Sequence, residues 1–226
     1  MQIRILKSFK LFTVVLAIGV FSGFLLNCGG SSGSGDDDGG GNDQSLSITG
    51  ASGNQVNLNG SWDSGCDADI EDRESERSIL TVSGSSFSQT ENEWFDSTNC
   101  SGTSDVTVNM SGTLVLGDEL TATMGGSNFT ATELDVVMNS FEGTVNNSDT
   151  ASDLNAEQAC GFNDWVAGTP KDLLGTSCGP DSDIKDLLYV DDTVSADIWY
   201  GGDEEGPVDA NGFPTSLDSD AAKVRM

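Results

Sequence analysis

The feature that most constrains the fold of this chain is an alternation of apolar and polar residues with a period of two. It is clearest in residues 106–110, 120–124 and 194–198. Successive side chains of a β-strand point to opposite faces, so each run predicts a strand with one buried and one wet face. Turn residues separate the runs at short, even intervals, which is typical of a meander that closes into a barrel or a sandwich. These turn residues are Gly84, Gly112, Gly117-Asp118, Gly125-Gly126 and Asn146-Asn147.

One segment breaks the alternation. Over residues 129–138 the apolar positions shift from Phe129 and Ala131 to Leu134 and Met138. An extra residue in one strand displaces the pattern in this way, so a β-bulge or a barrel corner is predicted there.

A short helical segment is predicted before the last two strands. Residues 153–166 fit a helix, and Thr169-Pro170 offers an N-cap followed by proline at the first position of a short helical turn. Strands are predicted again at residues 186–190 and 194–200. The polar tail from residue 201 onward contains proline and is predicted to be loop.

The first 27 residues differ from the rest of the chain. Arg4, Lys7 and Lys10 precede an apolar run over residues 11–26, and no acidic residue lies among them. The run is shorter than the roughly 20 residues that a membrane-spanning helix needs, so a secretory signal peptide is predicted for residues 1–27. A retained membrane anchor is the alternative.

The end of this segment, Leu25-Leu26-Asn27-Cys28, resembles the lipobox of bacterial lipoproteins. In that family the cysteine receives a diacylglyceryl group and becomes the acylated mature amino terminus, so the resemblance implies lipidation, with palmitate among the acyl chains, at Cys28. Asn27 stands where the family usually has Gly, Ala or Ser. The acyl chains would hold the protein on a bilayer. Because Gly29, and not Asp, follows the cysteine, the resemblance implies the outer membrane of a cell envelope, on its periplasmic face or on the cell surface.

Residues 28–45 are predicted to be a flexible tether of Gly, Ser and Asp, because such a polar stretch cannot bury enough surface to offset its ordering entropy. A folded domain is predicted over residues 46–226. The formal net charge of the chain is −28, and loss of the three basic residues of the signal peptide would make it −31. This charge excludes nucleic acid as a partner, since phosphate binding needs clustered Lys and Arg. Anionic lipid surfaces would repel it as well, so membrane attachment is predicted through the lipid alone.

The remaining cysteines are even in number. Three pairings are possible, and proximity in sequence favours Cys66–Cys100 together with Cys160–Cys178. A four-thiolate metal site is disfavoured because the chain has no C-x-x-C pair. Two disulfides predict an oxidising compartment such as the periplasm or the cell surface.

A resemblance to lipocalin-like domains rests on residues 58–62, Leu-Asn-Gly-Ser-Trp, followed by Cys66. In those domains a Gly-x-Trp motif begins the first strand and places its ring across one end of the barrel. The succession of later motifs, ending in residues 212–218, is similar to that of uncharacterised bacterial lipoproteins with a small antiparallel barrel. The resemblance covers most of residues 56–218. It implies a barrel able to enclose a small apolar ligand, and it supplies no catalytic residue.

Two interpretations of the barrel interior stay open. The chain has few large apolar residues with which to line a roomy cavity, so a small barrel filled by its own side chains is one of them. An interior that holds a ligand is the other. Trp62 is expected to plug the core in either case.

Few residues suggest catalysis. The chain contains no histidine, which excludes Ser-His and Cys-His mechanisms and His-ligated zinc. Asp63-Ser64-Gly65 matches the Asp-Ser-Gly motif of aspartic proteases, but the second copy that this chemistry needs is absent from the sequence. The acidic stretch at residues 67–76 lacks the spacing of a calcium loop and is predicted to be a solvated loop. No catalytic residue, metal site or cofactor is predicted.

Together these observations predict a lipid-anchored, non-catalytic binding or structural module of the cell envelope. The alternatives are an envelope-associated hydrolase that uses paired carboxylates or calcium, and a surface adhesin.

Overall fold

The structure is a computed structural model that describes residues 45–180, 182–203, 206–220 and 222–226. The predicted signal peptide, the lipidation site Cys28 and nearly all of the predicted tether lie outside the described residues. Within these ranges, no helix is long and apolar enough to cross a membrane.

Strands dominate the described part of the chain. In chain order they are β1 (Ser47–Thr49), β2 (Gln55–Asn57), β3 (Gly60–Asp63), β4 (Asp67–Asp69), β5 (Glu74–Ser83), β6 (Ser86–Trp94), β7 (Val106–Met124), β8 (Ser127–Val145), β9 (Lys171–Asp172), β10 (Asp183–Asp191), β11 (Ile198–Gly201) and β12 (Lys223–Arg225). Helix α1 (Ser148–Glu157) and a 3₁₀ turn (Ala159–Gly161) lie between β8 and β9. The predicted mainly β fold is therefore confirmed.

The strands form one large antiparallel sheet and one small one. β1 and β2 pair with each other, and the neighbours in the large sheet follow the order β10-β11-β12-β3-β5-β6-β7-β8-β9. β4 lies beside β5. β10 pairs with β11 through one end and with β8 through the other, so it has a partner on both sides.

The two longest strands, β7 and β8, form a continuous hairpin that turns at Gly125-Gly126, as predicted. The turns predicted at Gly112 and at Gly117-Asp118 are wrong, because β7 runs through both. Instead the register between the strands shifts at these positions. The second shift lies opposite Thr132 and Leu134, inside the segment where the sequence predicts a bulge, but the surplus residue belongs to the partner strand, because Gly117 and Asp118 of β7 stand against the single residue Glu133 of β8.

The helix predicted over residues 153–166 begins and ends earlier. α1 starts after Asn147, whose side chain accepts a hydrogen bond from the Thr150 amide at 2.8 Å and so caps the helix. It ends where Gln158 adopts a left-handed conformation with φ 54°. The short helical turn predicted at Thr169-Pro170 is also wrong. The chain is extended there and β9 pairs with β8, beyond the end of the β8–β10 ladder.

The prediction that the tail from residue 201 is loop is wrong in part. β12 pairs with β3 on one side and with β11 on the other. Phe213 and Leu217 are buried, and they pack in a small apolar cluster with Leu187 and Tyr189 of β10. This part of the tail therefore covers the outer face of the sheet.

Both predicted cysteine pairs are within bonding distance. Cys66 and Cys100 have their Cα atoms 5.7 Å apart, and Cys160 and Cys178 have theirs 5.1 Å apart. The first pair ties the loop after β6 to the loop before β4. The second closes a loop that begins just after α1 and holds β9.

Candidate functional site

The large sheet has one face on which the main core is built, and we call it the core face. Trp62 of β3, Leu80 of β5, Val108 of β7 and Leu188 of β10 lie on it and are buried in one cluster. Trp62 is fully enclosed and its indole N–H donates to the carbonyl of Leu58 at 3.1 Å. The predicted role of Trp62 in the core is therefore confirmed.

The same face also carries carboxylates. Residues two apart on a strand share a face, so Glu76 lies on the face of Leu80, and Glu91 and Glu93 lie on the face of Phe87. The register places Glu76 directly opposite Glu93 on the neighbouring strand. Glu74 lies two residues before Glu76 on β5 and so shares its face. We call Glu76, Glu91 and Glu93 the acidic triad.

The acidic triad corrects one prediction in part. Residues 67–76 were expected to be a solvated loop, but Asp67–Asp69 form β4 and the stretch ends inside β5. Glu76 therefore faces the core and not the solvent. Sequence reasoning missed Glu91 and Glu93 altogether. The available signal was their period of two with Phe87 and Gln89, which puts all four on one face of β6.

Glu93 is the most deeply buried member of the triad. Only 6% of its surface is exposed, and its Oε2 atom is buried without a hydrogen-bond partner among the described residues. Burial raises the pKa of Glu93 well above its ordinary value, and the charges of Glu91, Glu76 and Glu74 raise it further. A buried polar atom of this kind is rare in folded proteins, because leaving it unpaired costs free energy.

The other two members of the triad shift in the same direction. Burial, and then repulsion from Glu76, raises the pKa of Glu91 to about 7. Burial, and then repulsion from Asp67, raises the pKa of Glu76. Both side chains nevertheless keep some access to water, since neither is fully buried. Glu76 and Glu91 therefore lie where the core face is still reached by water.

One basic residue lies close to the triad. Lys223 of β12 lowers the pKa of both Glu76 and Glu91 by its charge. It also lowers that of Asp186, a residue on the core face of β10 whose Oδ1 accepts hydrogen bonds from the amides of Gly202 and Leu187 at 2.7 Å. Burial nevertheless raises the pKa of Asp186. Lys223 makes no ion pair within 4.0 Å with a described carboxylate, whereas Arg77, Lys171, Lys185 and Arg225 each do.

An apolar wall adjoins the triad. Val106 and Val108 of β7 lie directly opposite Glu93 and Glu91 in the register, and each is 1% exposed. Trp165 and Leu173 reach the same face from the segment between α1 and β10, close to Gly143 of β8. Carboxylates and apolar side chains therefore lie side by side on the core face.

The other sequence candidates lie elsewhere. Asp63 accepts a hydrogen bond from Nε of Arg77 at 2.9 Å, and this bond is the main reason why the pKa of Asp63 is lowered. Such an ion-paired carboxylate on the outer face does not suit the proton sharing of an aspartic protease. Among the described residues, no group of three or more Cys, Asp or Glu side chains is arranged to hold a metal ion.

Comparison with known proteins adds no family. No protein-family model matches the chain, and no curated protein matches its sequence.

Proposed function

We propose that this protein is a lipid-anchored, non-catalytic module of the cell envelope that binds a small molecule on the core face of its sheet. The observation that carries this proposal is the chemistry of that face. A barrel with a purely structural role would fill its interior with apolar side chains, whereas here Glu76, Glu91 and Asp186 point into it and stay partly accessible to water.

We further propose that the sheet closes into a small lipocalin-like barrel. The pairings support closure, because each of eight strands has a partner on both sides: β3, β5, β6, β7, β8, β10, β11 and β12. An eight-stranded barrel has an interior just wide enough for its side chains or for one small ligand.

The anchor is proposed at Cys28, which follows the signal-like residues 1–27 and precedes the polar tether. Attachment to the outer membrane through acyl chains would leave the acidic domain clear of the lipid surface. The two cysteine pairs at disulfide distance support an oxidising compartment.

The hydrolase alternative has one observation in its favour, the pair formed by Glu76 and Glu93 across β5 and β6. Carboxylate catalysis needs one acid and one ionised partner, whose pKa values are pushed apart. Here the pKa values of all three members of the triad are raised. The arrangement therefore favours binding over hydrolysis.

The intact mass of the protein purified from membranes, before and after reduction, tests the anchor. A mass that starts at Cys28 and includes acyl chains is expected, with a gain of about four hydrogens on reduction of two disulfides. A mass that starts at Met1 would overturn the proposed localisation.

Native mass spectrometry of the same sample tests the binding role, because a copurified small molecule is expected as added mass that is lost on unfolding.

A further inference from the structure

Resting on the proposed binding function, we infer that the acidic triad binds a small organic ammonium ion whose alkyl body packs against Val106 and Val108. The first step is the balance of charge. Glu76, Glu91 and Glu93 occupy neighbouring positions on the core face. Among the described residues, Lys223 is the one basic side chain whose charge lowers the pKa of triad members, and it forms no ion pair with a described carboxylate. The three carboxyl groups of the triad therefore outnumber the single positive charge near them.

One oxygen atom of the triad is buried without a hydrogen-bond partner among the described residues. Oε2 of Glu93 is enclosed and accepts no hydrogen bond from any described residue, and only 6% of the surface of Glu93 is exposed. A buried oxygen without a partner in the described chain leaves a hydrogen-bonding position that a donor group of a ligand would satisfy. An ammonium group supplies up to three N–H donors together with the missing charge.

The third step separates an organic cation from a metal ion. Successive core-face positions on a strand have Cα atoms roughly 7 Å apart, so Glu91 and Glu93 start from backbone positions well separated along β6. In the part of the chain that the structure describes, no cluster of carboxylates has the spacing of a metal site. A larger cation that donates in several directions suits this separation better.

Apolar side chains lie directly beside the carboxylates of the triad. Val106 pairs with Glu93 and Val108 pairs with Glu91, so an apolar surface begins directly next to each carboxylate. Trp165 and Leu173 extend this surface. A ligand that is cationic at one end and aliphatic at the other would contact both chemistries at once, whereas a hydrated metal ion would leave the valines unused.

The experiment is titration calorimetry on the full lipidated chain in detergent, with butylammonium, 1-butanol and Ca²⁺ as probes. Butylammonium is expected to bind at about pH 8, where Glu91 is ionised, and at least about tenfold more tightly than 1-butanol, because a charged hydrogen bond adds to the same alkyl contact. Glu93→Gln and Glu91→Gln are each expected to weaken binding of butylammonium by about tenfold or more.

Glu142→Gln is the matched control. It removes the same charge from an exposed position on β8 and is expected to change binding by less than about twofold. If butylammonium does not bind, or binds equally to the wild type and to both triad variants, the inference is overturned. Ca²⁺ binding that excludes butylammonium overturns it as well.

These outcomes are separable from failure of the proposed function. If 1-butanol binds as tightly as butylammonium, the site takes an apolar ligand. The inference of an ammonium ligand would then be overturned, while the proposed binding function would stand. No binding of either probe, in a sample from which native mass spectrometry detects no copurified molecule, would overturn both. The melting temperatures of the two Gln variants are measured as well. If they are at or above that of the wild type, any loss of binding does not come from unfolding.

Discussion

At the scale of single residues, Glu93 works against the stability of the sheet that holds it. Its carboxylate faces Glu76 across the strand pair, and like charges placed opposite each other destabilise a sheet. Its Oε2 atom gains no hydrogen bond in return. A group retained at such a cost is more often a binding or catalytic residue than a packing residue.

The first prediction concerns this cost. Glu93→Gln, which keeps the shape and removes the acidic group, is expected to raise the free energy of unfolding by about 1–3 kcal/mol near pH 8, since the repulsion from Glu91, Glu76 and Glu74 is lost. Urea unfolding measures it. Glu142→Gln, at an exposed position, should change the value by less than about 0.5 kcal/mol. A Glu93→Gln protein less stable than wild type would mean that the carboxylate is paired in solution.

The second prediction follows from the raised pKa of Glu91, about 7 against 4.5. The folded state binds more protons than the unfolded state between these values, so stability is greatest at the acidic end of this window and falls as the pH rises through about 7. The loss due to Glu91 is at most about 3 kcal/mol. Glu76, Glu93 and Lys223 lie near Glu91, and the pKa values of Glu76 and Glu93 are raised as well.

Urea unfolding at about pH 5.5 and about pH 8 measures this effect, and both conditions lie above the region where the lowered pKa values of Asp63 and Asp192 matter. Glu91→Gln should reduce the difference between the two conditions. Stability that rises with pH over this interval would contradict the prediction.

At the scale of elements, the hairpin of β7 and β8 depends on close contact at its irregular positions. A Cβ atom at Gly112 would lie 2.1 Å from the carbonyl oxygen of Val137 and 2.7 Å from the ring of Phe87. Glycine is therefore needed where the register shifts, and not because of a turn. Glycine is common both in turns and at irregular positions inside strands, so the sequence alone predicts a turn where the structure has a register shift.

The third prediction is that Gly112→Ala lowers the free energy of unfolding by about 2–3 kcal/mol, because the strands must move apart to admit the methyl group. Thermal unfolding followed by circular dichroism is the measurement. Gly201→Ala on β11 is the control, since its nearest neighbour would be the Asp186 carboxylate at 3.7 Å, an ordinary contact. Equal effects of the two substitutions would rule out the packing explanation.

The fourth prediction concerns the segment between β8 and β10, within which Cys160 and Cys178 close a loop at a sequence separation of 18. Replacing both cysteines by serine is expected to cost about 3 kcal/mol on the chain-entropy model and to expose residues 148–180 to proteolysis. Limited proteolysis with mass spectrometry locates the cuts. The Cys66→Ser and Cys100→Ser double variant should not open this segment, and equal cleavage there would refute a local role.

Much of the strand pattern could be predicted from the sequence, because period-two alternation is a local signal. The helix boundary was missed because Asn147 caps α1 through its own side chain, a contact that competes with other turn roles of Asn-Asn. The acidic triad was missed for a different reason. Glu91 and Glu93 occupy core-face positions where an apolar residue is expected, and only the pairing with β5 and β7 reveals that they face inward.

At the scale of the whole molecule, acidic charge far exceeds basic charge. The chain has 37 acidic and 9 basic residues, and four of the basic ones are in described ion pairs. Most carboxylates are therefore uncompensated, and their mutual repulsion opposes the compact state.

The fifth prediction is that added salt stabilises the fold. Raising NaCl from about 0.02 M to about 0.5 M shortens the range of the repulsion to a few ångströms and should raise the melting temperature. Scanning calorimetry measures the shift. An equal concentration of a neutral osmolyte controls for effects on water, and a melting temperature that falls with salt would indicate that the ion pairs outweigh the repulsion.

The pairing of β3 with β12 bears on the time that folding takes. Asp63 lies opposite Val224, so this contact forms only when nearly every intervening strand is available. Contacts between residues so distant in sequence slow folding, and sheets built from them fold in milliseconds to seconds. β12 is also the strand that carries Lys223, so the acidic triad gains its neighbouring cation only when this long-range pairing forms.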